Sequence, residues 1–165
     1  MANTLRDEVN LRLYCCRLQL EQYQQYLNAA ELPLTVIRHL AGEAACIHLQ
    51  RCYQAYLLEL GQAYNVSAAG CCSAQSLAAL MAAQGISAAE ITQLCELESD
   101  AASWLSALLA AAGPVSAPAE VKQQPPAQIR LTALEPSMLD LEALQTAYES
   151  LRQLIEGQRS LTQEW

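Results

Sequence analysis

One stretch, Pro33 to Asn65, limits what this chain can fold into more than any other, because it is helical in pattern yet apolar on most sides. Projected at about 100° per residue, it shows three apolar bands. Ile37, Ala41, Ala44, His48, Cys52 and Ala55 form one, with small residues that let a neighbouring backbone come close. Val36, Leu40, Ile47 and Leu58 form a second, and Leu49, Tyr53, Tyr56 and Leu60 a third. Only a narrow stripe, His39, Glu43, Gln50 and Gln54, is polar. A helix of that kind is expected to be enclosed by other helices, with Pro33 in its first turn, where a missing N–H costs little.

The flanking segments supply the enclosure. From Thr4 to Ala29, Leu5, Val9, Cys16, Leu20, Tyr23 and Leu27 fall in one sector, a core stripe at helical spacing. Asn65-Val66-Ser67 and Gly70 break the pattern. Ser73 is placed to cap a third helix that ends near Gly85, a residue suited to left-handed backbone. Ser87-Ala88-Ala89-Glu90 fits a capping box for a fourth helix, and Asp100 is a candidate cap for a fifth with Trp104, Leu105, Leu108 and Leu109 on its apolar side. Gly113-Pro114 stops that helix. Residues 114–128 hold four of the six prolines and are expected to be an extended linker. Ile129-Arg130-Leu131 is a short extended piece. A last helix is expected from near Ser137, with Leu141, Leu144, Tyr148, Leu151 and Ile155 toward the core and Ala147, Leu154, Leu161 and Trp165 beside them. The prediction is an all-α helical bundle: a core over 1–113, the linker over 114–128, and a segment over 129–165 packing back on the core as part of one domain.

Charge and cysteine content narrow the function classes. Residues 1–65 carry five basic and six acidic side chains, and residues 66–165 four and eleven. With Lys122 as the single lysine, the balance argues against a broad phosphate-binding surface and hence against a nucleic-acid partner. Arg6 is followed by Asp7 and Glu8 rather than an apolar run, and Ala101–Ala112 is too short to span a bilayer, so the expectation is a cytoplasmic protein without membrane attachment. Seven cysteines without any C-x-x-C spacing are expected to act as small buried hydrophobes.

Few groups carry chemistry. His48 projects onto the small-residue seam with Arg51 nearby, a pairing that suits either a satisfied core histidine or a general acid/base beside an anion contact. His39 and Glu43 are spaced for a surface pair. Neither the Glu-x-x-His pairs of di-iron bundles nor the paired Cys/His spacings of zinc sites occur, so no metal and no cofactor are expected. Cys71-Cys72 lies before a helix start, where a thiolate is favoured, and is the better of the two adjacent pairs for redox chemistry; Cys15 and Cys16 point about 100° apart. Phosphate-binding and hydrolase motifs are absent. On the first helix, opposite the core stripe, Asn10, Tyr14 and Arg17 form a strip, continued by Glu21, that suits either a solvated face with an Arg17–Glu21 pair or a partner-contact strip, since an exposed Tyr between Asn and Arg is an adhesive combination.

Asn10-Leu11-Arg12-Leu13-Tyr14, Glu43-Ala44-Ala45-Cys46-Ile47-His48-Leu49, Ser103-Trp104-Leu105 and the closing Arg159 with Gln163-Glu164-Trp165 together resemble a family of small gammaproteobacterial helical proteins that is a domain of unknown function. The resemblance implies a bacterial, cytoplasmic, helical protein and carries no catalytic residue across. More distantly the chain is similar to HEPN helical bundles, several of which cleave RNA or bind nucleotides. The RNA-cleaving ones place Arg four to six residues before His on one helix, whereas here Arg38 directly precedes His39 and Arg51 follows His48. The expectation is therefore a non-enzymatic protein–protein interaction module, docking a protein partner or itself through Asn10, Tyr14 and Arg17 or through the face left by the final helix. The alternative is a HEPN-like ligand-binding or RNA-processing enzyme using His48 and Arg51.

Overall fold

The computed structural model describes residues 2–111 and 139–162, and over these the chain is all-α. The expected stop at Gly113-Pro114, the linker, Ile129–Leu131, Ser137 and Trp165 lie outside the described residues. Six helices follow in order. They are α1 (Ala2–Ala29), α2 (residues 34–63), α3 (Ala74–Ala83), α4 (Ala89–Ser99), α5 (Trp104–Ala111) and α6 (Leu141–Thr162).

The central helix α2 is continuous but not uniform: Leu34–Ile37 is α-helical, Arg38–Gly42 is a π-turn, and Glu43–Ala63 is α-helical again. The wider turn has a packing consequence. Ile37, Ala41, Ala45 and Leu49 recur every fourth residue and all are buried. Steps of four drift around a 3.6-residue helix, and a turn closed by i→i+5 bonds absorbs that drift. Pro33 stands just ahead of the helix with extended backbone (φ −58°, ψ 143°) rather than within its first turn. At the other end Asn65 takes φ +57°, and Val66 N–H donates to the Gly61 carbonyl at 2.8 Å while Asn65 N–H donates to that of Gln62 at 3.1 Å. This paired closure satisfies carbonyls that the helix end would leave bare and turns the chain sharply back. The return passes so close that a Cβ on Gly61 would lie 2.5 Å from Ala68 Cβ.

Helices α1 and α2 form an antiparallel pair. The Cys16 thiol donates to the Ala45 carbonyl at 3.8 Å and the Cys52 thiol to the Val9 carbonyl at 3.7 Å, which sets the register with Tyr14 level with Ile47. Val9, Cys16, Leu20 and Tyr23 are buried as the spacing predicts, with Leu5 and Leu27 half-buried at the ends of the stripe. Burial pushes the Cys52 thiol up to about 12 and the Cys46 thiol up to about 11, and raises Cys16 further. These thiols stay protonated and act as small core groups.

The short helices close the other side of α2. Ser73 caps α3 by accepting from Ser76 N–H, and Gly85 after it has φ +72°, both as expected. Glu98 from α4 also reaches the start of α3: its carboxylate accepts from Ala74 N–H at 2.8 Å and from the Tyr53 hydroxyl at 2.6 Å. A carboxylate at a helix N-terminus meets both bare amides and the positive end of the dipole. Two expected caps differ. Ala88, not Ser87, precedes α4 without a side-chain cap, and Glu90 instead accepts from the Tyr64 hydroxyl. Ser103, not Asp100, caps α5 by accepting from Ser106 N–H, its own hydroxyl donating to the Leu97 carbonyl. Asp100 forms the turn before it, through Ala102 N–H.

Helix α6 packs on α1, α2 and α5, with Asp140 as its cap and Leu144, Ala147, Leu151 and Ile155 buried. Polar links fix its last turns. The Tyr56 hydroxyl donates to Gln158 Oε1 at 2.6 Å in the core. Arg159 donates twice to the Glu59 carboxylate, at 2.9 and 2.7 Å, and once to Asn10 Oδ1 at 2.9 Å. One guanidinium thus joins α6 to both long helices.

Candidate interaction surface

The outward strip of α1 divides into two roles. Tyr14 is 52 % exposed, and the Arg17 guanidinium sits 5.2 Å from its ring centre while also pairing with Glu21 at 3.3 Å. Two long side chains are thereby held against one another on the surface, an arrangement that lowers the entropy lost when a partner covers them. Asn10 is exposed too, but its amide oxygen is occupied by Arg159, so it belongs to the α1–α6 joint. Arg17 also lines a groove of about 680 Å³ between α1 and α6, opposite Gln145, Tyr148 and Glu149.

Beside this strip the structure exposes apolar side chains that the sequence pattern does not assign to the surface. On α1 these are Leu11 (51 %) and Leu18 (41 %), and on α2 Leu40 (54 %) and Ile47 (38 %), with Val36 and Leu34 toward the turn. The second band of α2, expected to be enclosed, is therefore largely open. Helical projection gives the angle of a side chain about its own axis but not which flank a neighbour occupies. Among the described residues, α1, α6 and the short helices all lie on the other sides of α2, and none of them covers this flank. A signal was present in the spacing: Leu11 and Leu18 are one heptad apart, opposite the core stripe, where solvated residues are the rule.

His48 and Arg51 border the same flank. His48 is half-buried, its Nδ1 is buried with no hydrogen-bond partner, and burial followed by the Arg12 and Arg51 charges lowers its pKa below the usual value. The imidazole is accordingly neutral near pH 7. Arg51 is exposed, while Arg12 is turned to Glu8 at 2.6 Å. Neither His48 nor Arg51 lines the α1–α6 groove or a second groove of about 510 Å³ along Leu58, Gln62 and Val66–Gly70. His39 and Glu43, 3.9 Å apart, form the expected surface pair. Among the described residues no group of three or more His, Cys, Asp or Glu side chains is arranged to hold a metal ion.

At the start of α3, Cys72 is exposed and Cys71 half-buried. The first amides of that helix, Ala74 N–H and Gln75 N–H, donate to the Glu98 carboxylate.

Among the described residues no helix is long and apolar enough to cross a membrane. No curated protein and no solved structure matches the chain. Over residues 1–165 it matches the family of unknown function DUF6586, and it belongs to that family.

Proposed function

We propose that this member of a family of unknown function is a non-enzymatic helical module for protein–protein interaction, acting in the bacterial cytoplasm. The carrying observation is the exposed apolar flank of α1 and α2, where Leu11, Leu18, Leu40 and Ile47 face solvent beside the stacked Tyr14–Arg17 pair. Single exposed leucines are ordinary, but several on two adjoining helices, edged by an aromatic–arginine pair, have the composition of a contact surface. The stacked pair would act as an anchor and the leucines as the area around it. Asn10 contributes by holding α6 beside the strip. The test is capture of partners from the native host by the immobilised full chain, compared with Tyr14→Ala, Arg17→Ala and Leu18→Glu variants shown to be folded by circular dichroism. Loss of the same bound species in all three supports the reading; a bound set unchanged in all three removes this surface from consideration.

A second reading has one specific observation in its favour. A neutral His48 with an unpartnered buried Nδ1, next to Arg12 and Arg51, has the parts of a proton acceptor beside an anion contact, as a HEPN-like ligand-binding or RNA-processing enzyme would need. Titration of the His48 resonances with a single-stranded RNA and with inorganic phosphate decides it, since an unmoved His48 in both excludes the reading.

A further inference from the structure

We propose that the occupant of the α1–α2 apolar flank is a second copy of this chain, packed antiparallel about a two-fold axis that crosses α2 at Ile47 and α1 between Tyr14 and Cys15. The inference rests on the interaction-module reading above and names its partner.

Two independent symmetries on the page locate the axis. On α2 the exposed positions are balanced in charge about Ile47. Glu43 lies four residues before it and Arg51 four residues after, so an antiparallel copy of α2 centred there sets each Glu43 against the other copy's Arg51. Both ends are available. Arg51 is exposed and makes no ion pair or hydrogen bond among the described residues, and Glu43 has only the long contact to His39. On α1, Leu11 and Leu18 are balanced about the point between Tyr14 and Cys15, so the same operation stacks Leu11 on the other copy's Leu18. The thiol-to-carbonyl contacts that set the α1–α2 register place Tyr14 level with Ile47. The centre read from charges on one helix and the centre read from leucines on the other thus fall on one line across the hairpin. An axis along that line, in the plane of the flank, lays α1 on α1 and α2 on α2, each reversed. A parallel arrangement would instead set Glu43 on Glu43 and Arg51 on Arg51, and like-charge pairs oppose association.

The test is charge exchange in the full chain, read by sedimentation equilibrium from micromolar to sub-millimolar loading. Wild-type protein is expected to be a monomer–dimer mixture. Arg51→Glu and Glu43→Arg each turn two attractive pairs into two repulsive ones and are expected to raise the dimer dissociation constant about tenfold or more. The double variant Glu43→Arg/Arg51→Glu restores both pairs with signs exchanged and is expected to return the constant to within about threefold of wild type. All four positions per dimer are on the surface, and circular dichroism of each variant checks that the fold is retained. A monomer at every loading overturns the proposal, and so does a dimer in which the double variant is as weak as the singles. Should the wild type be monomeric yet still capture a host protein that Leu18→Glu loses, self-pairing falls while the module reading stands.

Discussion

Arg159 is where the structure makes its sharpest claim about stability, because one side chain near the end of α6 joins three helices. Arg159→Ala removes two charge-assisted hydrogen bonds to Glu59 and one to Asn10. The side chains of Arg159 and Glu59 are 14 % and 18 % exposed, between an open surface pair and a sealed one. Surface pairs contribute about 0.2–1 kcal/mol. Removing one partner of a buried pair costs about 3–5 kcal/mol, because the other charge is left without compensation. Partial access to water places Arg159→Ala at about 2–3 kcal/mol of lost stability by the same reasoning. For a chain of this size that lowers Tm by roughly 5–10 °C. Much of the cost is the stranded Glu59 carboxylate, so Glu59→Gln in the Arg159→Ala background recovers part of it, and the double-mutant cycle between the two sites gives a coupling of about 1–2 kcal/mol. Urea unfolding followed by circular dichroism provides the four stabilities. Arg152, which pairs with Glu149 and Glu156 at the surface within one helix, is the internal control, and Arg152→Ala is expected to leave the urea midpoint nearly unchanged. A coupling below about 0.3 kcal/mol at Arg159–Glu59 would falsify the assignment of this pair as the clasp of α6.

Three other consequences follow from particular contacts. Gly61→Ala puts a methyl 2.5 Å from Ala68 Cβ and 3.1 Å from the Val66 carbonyl oxygen, so the return after α2 must shift; a loss of about 1–3 kcal/mol is expected in the same urea assay, and an unchanged midpoint would show that the turn yields freely. His48 binds its proton less readily folded than unfolded, so its contribution to stability is complete above the unfolded pKa of about 6.5 and declines as pH falls from there toward the lowered folded value. His48→Gln should flatten the wild-type slope in that window; identical slopes would refute the neutral, half-buried imidazole. Under native conditions, iodoacetamide followed by intact-mass and peptide analysis should modify Cys72 before Cys46 and leave Cys16 and Cys52 for last, because the latter two are wholly buried and their thiols are held protonated. Early labelling of Cys52 would mean that the α1–α2 seam opens.

The sequence by itself determined the all-α class, because core positions at helical spacing in the first, central and last segments leave no alternative way to bury Val9, Leu20, Leu49, Leu144 and Ile155. It also located punctuation that depends only on local backbone: the cap at Ser73, the left-handed Gly85 and the break at Asn65. Tertiary structure decided everything that depends on which side of a helix its neighbours take. Leu40 and Ile47 are as apolar as Leu49 and Leu57, yet two are bare and two are buried, since apolar surface sinks only where another element arrives to cover it. The same holds for polar groups. Asn10 lies on an outward strip by its angle, but Arg159, far along the chain, claims its oxygen; Glu90 suits a local capping box by its spacing, but the Tyr64 hydroxyl comes to it from elsewhere, and Glu98 near the end of α4 serves the amides of α3. Angular position about an axis is a local property of the residues, and it is legible. Occupancy of the space beyond the side chain belongs to the packed whole, and no single segment encodes it.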